Sequence, residues 1–166
     1  MQEERRLNKL NEMLIVSGTG VITFGFWTVI KVFLMLIFKF DEINDLVDGD
    51  LTNPEQRWGV ILIMIIVCLS IIGIRSYVGL SARAEGMGRH KRVSYIIVAV
   101  LMLVFEVAGT IEGLDMLVDA SFDKTVDNVI ELLVDITSYI ILFQMIISAI
   151  GVRIVKARRR GGDADE

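Results

Sequence analysis

The run from Met13 to Phe38, MLIVSGTGVITFGFWTVIKVFLMLIF, limits this chain more than any other stretch, because Lys31 is its only ionisable residue. As an α-helix rising 1.5 Å per residue it would extend roughly 39 Å, longer than the ~30 Å hydrocarbon core of a bilayer. The expectation is a tilted membrane span. A lysine inside it costs about 2.5 to 3.5 kcal/mol on insertion scales unless it reaches the interface or meets an acid.

Three further apolar runs follow, and together they use nearly the whole chain. With 54% hydrophobic residues and a mean hydropathy of +0.61 over 166 residues, the composition is that of a membrane protein and leaves no room for a separate soluble domain. The sequence therefore predicts an all-α polytopic membrane protein, a four-transmembrane-helix bundle built as two helical hairpins. Its domain 13–156 holds spans at about 13–38, 58–80, 93–113 and 126–155. Residues 1–12 form a cytoplasmic N-terminus, read as preceding an uncleaved span, and residues 157–166 form a mobile tail.

Charge order supplies the orientation. Arg5, Arg6 and Lys9 precede the first span, five cations lie between Arg75 and Arg92, and five more between Arg153 and Arg160. Only Lys39, Arg57 and Lys124 fall on the opposite side, where eleven acids lie between Asp41 and Glu55 and between Glu112 and Asp127. Both termini are expected in the cytoplasm, in a multi-pass protein of the plasma membrane.

Local signals agree with this layout. Asn53-Pro54-Glu55-Gln56 reads as the start of the second helix, with Pro54 at the first helical position. Gly86 and Gly88 read as its end, before the basic turn Arg89-His90-Lys91-Arg92. Phe40, Ile43, Leu46 and Val47 recur at helical spacing and predict a short interfacial turn. A second turn is expected between Ser121 and Thr125, with Asp123 or Thr125 as N-cap of the last helix.

The candidate site residues are polar groups inside the apolar runs. Lys31 and Glu106 lie about nine residues from Phe40 and Asp115, so a rise of 1.5 Å per residue puts them at matching depth, as an ion pair would require. A polar pathway is read in Thr28, Glu131, Asp135, Ser138 and Gln144. Glu131 and Asp135 are one turn apart, and Thr137, Gln144, Ser148 and Gly151 form a neighbouring stripe. Gly18 and Gly25, a heptad apart, read as helix-packing positions.

Other chemistry finds little support. Cys68 is the single cysteine and His90 the single histidine, so no intrachain disulfide and no multi-histidine metal site exists. No cofactor, metal or nucleic acid is expected. The inner cations Arg75, Arg83, Arg89, Lys91, Arg92, Arg153, Lys156, Arg158, Arg159 and Arg160 are expected to meet anionic lipid headgroups. Three functions follow. The first is a non-catalytic accessory, scaffold or regulatory component working with a membrane partner or as a homo-oligomer. The second is a small channel or transporter for cations, protons or a small solute, using Lys31, Glu106, Glu131, Asp135 and Gln144. The third is an intramembrane enzyme, for which no nucleophile or metal is evident.

Overall fold

The structure is a computed structural model that describes residues 2–38, 54–89, 93–118 and 126–162. These residues fold into four helices with no strand among them: α1 (Gln2–Phe38), α2 (Pro54–Gly86), α3 (Ser94–Val118) and α4 (Val126–Gly162). Long runs of Ile and Val, which favour strands in water, form helices here. A helix satisfies every interior backbone donor and acceptor within its own segment, as an environment without water demands.

Among the described residues, three helices are long and apolar enough to cross a membrane, over Glu3–Leu34, Trp58–Gly86 and Leu132–Arg158. Among the same residues α3 contributes a shorter apolar helix, Ser94–Ala108. Only 6% of the most apolar window of α2 is buried within the fold, so most of that surface is left for a nonaqueous surrounding.

Helix limits differ from hydropathy limits. α1 is already helical at Gln2, with Glu3 and Glu4 in its first turn, where carboxylates favour the positive end of the helix dipole. Pro54 is the first residue of α2, as its missing amide hydrogen allows. α4 continues to Gly162, past the point where the sequence suggests a mobile tail. The turn near Phe40 to Val47, the turn at Ser121 to Thr125, His90 and residues 163–166 lie outside the described residues.

The chain divides into two compact units. The first comprises residues 1–21 and 78–166. Its core contains Leu14 and Val21 from α1, Val78 and Ala82 from α2, and Tyr95, Ile96 and Ala99 from α3, closed by Leu142, Met145, Ile146, Ala149 and Val152 of α4. Small residues let α1 and α2 approach here. A Cβ at Gly18 would lie 2.8 Å from the carbonyl oxygen of Gly79, and one at Gly86 would lie 2.9 Å from the carbonyl oxygen of Asn11. Lipid provides no hydrophobic drive between helices, so such backbone proximity carries much of the association.

The second unit spans Ile22–Tyr77 and contains the remainder of α1 and the first part of α2. Gly25 provides the space for the buried Arg75 side chain, whose Cβ lies 3.0 Å from where a Cβ at Gly25 would be.

Candidate functional site

The end of α2 assembles the most developed polar site among the described residues. Gly88 adopts φ +78°, the left-handed conformation that lets a helix stop. The Gly88 amide donates to the Glu85 carbonyl (2.9 Å) and the Arg89 amide to the Ala84 carbonyl (2.8 Å), the paired bonds of a Schellman motif. α3 then begins after Val93, whose carbonyl accepts from the amide of Ile96 at 3.0 Å.

This ending fixes Glu85 in the last turn of α2, facing inward. Its carboxylate accepts two parallel bonds from Arg153 of α4, from Nε at 3.0 Å and from Nη2 at 2.9 Å. Such a two-pronged contact is stronger and more directional than a single bond. The Glu85 side chain is only 4% exposed and that of Arg153 is 28% exposed, so the acid depends on the pair more than the base does. Tyr95 is fully buried beside the pair, and its phenol oxygen makes no hydrogen bond of regular geometry. Oδ1 of Asn11 is likewise buried without a hydrogen-bond donor among the described residues.

Two other buried hydroxyls bond within their own helices. Ser17 donates to the Met13 carbonyl at 2.7 Å and Ser148 to the Gln144 carbonyl at 2.8 Å. This leaves their oxygens satisfied and binds no second element.

The residues singled out from the sequence fall in both units. Lys31 is half-buried in the second unit, while Glu106 is half-buried in the first, with a buried Oε2. Thr28 donates to the Phe24 carbonyl of its own helix at 2.9 Å. Asp135 is half-buried, Ser138 buried and Gln144 exposed. The Glu131 side chain lies outside the described residues. Among the described residues no group of three or more His, Cys, Asp or Glu side chains is placed to hold a metal ion.

The inner cations also differ from one another. Arg83, Arg89 and Arg158 are exposed, Lys156 is half-buried, Arg75 is buried, and Arg153 is held by Glu85. The side chains of Lys91, Arg92, Arg159 and Arg160 lie outside the described residues. Sequence reading missed Glu85 as a site residue. The available signal was an acid three residues before the helix-ending Gly88, inside an otherwise basic hairpin, opposite the first cation after the last span.

Comparison with protein-family models, with curated proteins and with solved structures finds no match.

Proposed function

We propose that this chain is a four-span integral membrane protein with both termini in the cytoplasm, acting as a non-catalytic accessory, scaffold or regulatory component. The observation that supports this reading most is the engagement of Glu85 by Arg153. The deepest charged group in the four-helix core is spent on joining α2 to α4 and is not presented to a ligand. The buried serines likewise bond within the fold, while apolar residues cover the outward helix faces. A component of this kind works through those faces and through its exposed inner cations Arg83, Arg89 and Arg158, which suit anionic headgroups.

Crosslinking in native membranes tests the role. Repeated recovery of a partner at fixed stoichiometry is expected, and recovery of the chain without a different protein would overturn it. Tags at the two ends, probed from each side of sealed vesicles, test the topology; labelling from opposite sides would refute it.

Passage of cations or protons is the second reading, and the half-burial of Lys31, Glu106 and Asp135 favours it. Reconstituted wild type should then conduct, with Lys31→Ala and Glu106→Gln reduced. Equal background flux in all three would eliminate it.

A further inference from the structure

α4 presents one outward face on which Leu133, Ile140, Ile147 and Ile154 are between 50% and 64% exposed. Their spacing of seven keeps them nearly aligned on a helix, as in the seam of a left-handed helix pair. Gln144 lies on the same face, one turn after Ile140 and one turn before Ile147, close to the middle of the Leu132–Arg158 span. It too is exposed.

An exposed amide at that depth contrasts with three exposed hydroxyls of the fold. Thr19, Ser70 and Thr137 each donate to the carbonyl four residues earlier, at 2.9, 2.8 and 2.7 Å, which conceals a hydroxyl from lipid. A glutamine amide has two donors and a carbonyl acceptor, more than such a back-bond absorbs. Surrounded by Ile140, Phe143 and Ile147, it requires a partner that both donates and accepts.

We propose that two copies of the chain pair through this face of α4, with the Gln144 amide of each copy donating to and accepting from that of the other. A carboxamide is complementary to itself, and a two-fold axis beside the helix brings a residue against its own counterpart. A charged or purely apolar residue at this position would offer no such match. The inference rests only on the membrane-spanning part of the proposed reading, and it names the partner as a second copy.

The test uses the full chain in liposomes, with dimer fraction followed by energy transfer as the protein-to-lipid ratio is varied. Gln144→Leu keeps the side-chain bulk and removes the amide. It is expected to weaken pairing about tenfold, the scale of one interhelical hydrogen-bonded contact in lipid. In a Cys68→Ser background, Gln144→Cys should crosslink to itself, whereas Leu69→Cys on the exposed face of α2 should not. Undiminished pairing of Gln144→Leu, or a monomeric wild type without crosslinking at position 144, would overturn the proposal. Crosslinking of position 144 to a different protein in native membranes would overturn self-pairing while supporting the accessory role. A self-crosslink there with no other protein recovered would do the reverse.

Discussion

Glu85 and Arg153 stand 68 residues apart in the chain and meet through two parallel hydrogen bonds of 3.0 and 2.9 Å, tying the last turn of α2 to α4. The contact is asymmetric, because the acid is 4% exposed and the base 28%. Removing Arg153 leaves a buried carboxylate with no countercharge, whereas removing Glu85 leaves a guanidinium that already reaches outward. Arg153→Met is therefore expected to destabilise the fold by about 3 kcal/mol or more, Glu85→Met by about half as much, and the double variant by less than Arg153→Met alone. Denaturant titration in micelles, followed by helical circular dichroism, measures all three. Equal losses for the two single variants would show that burial does not set the cost.

Gly88 offers a separate test at the same helix end. Its φ of +78° is costly for a residue with a Cβ, and the Schellman bonds beside it hold Glu85 in place. Gly88→Ala is expected to lower stability by about 1 to 2 kcal/mol. Gly88→Asn, which tolerates the left-handed region better, should lose less. The same titration ranks the two, and an alanine variant as stable as wild type would contradict the assigned role.

The apolar runs made the helices legible, and Pro54 and Gly88 marked two of their ends correctly. Hydropathy places the membrane, however, and does not place a helix terminus. The residues after Leu80 and after Val155 include Ala, Arg and Lys, good helix formers, so α2 continues to Gly86 and α4 to Gly162. Sorting charges by side concealed the site. It counted Arg153 with the inner rim and ignored the face of α4 from which its side chain projects. Gln144 and Ser148 show that helical spacing alone does not assign burial. The two are only about 40° apart by helical geometry, yet one is exposed and the other buried, since the edge of a packed face falls between them. Only the positions of neighbouring helices define that edge.

Close approach of α1 and α2 gives a matched pair of glycine substitutions. A Cβ at Gly18 would meet the Gly79 carbonyl oxygen at 2.8 Å and the Arg83 amide nitrogen at 3.2 Å, both backbone atoms that cannot rotate away. A Cβ at Gly73 would meet nothing within 4 Å. Gly18→Ala should cost about 1 to 3 kcal/mol through forced separation of the helices. Gly73→Ala should gain up to about 1 kcal/mol from helix propensity. Thermal unfolding in detergent distinguishes them, and a stabilising Gly18→Ala would refute the tight crossing.

Tyr95 separates the value of a ring from that of its hydroxyl. The side chain is completely buried in the four-helix core, yet its oxygen lies beside Glu85 and Arg153 without a hydrogen bond of regular geometry. A buried hydroxyl so placed contributes little, and its removal relieves a desolvated polar atom. Tyr95→Phe is therefore expected to change stability by less than about 1 kcal/mol, whereas Tyr95→Ala, which empties the ring's volume, should cost about 3 to 5 kcal/mol. Micelle titration of both variants checks the pair. A Phe variant as damaged as the Ala variant would mean that the phenol oxygen is an essential third member of the Glu85 and Arg153 contact, joining α3 to the link between α2 and α4.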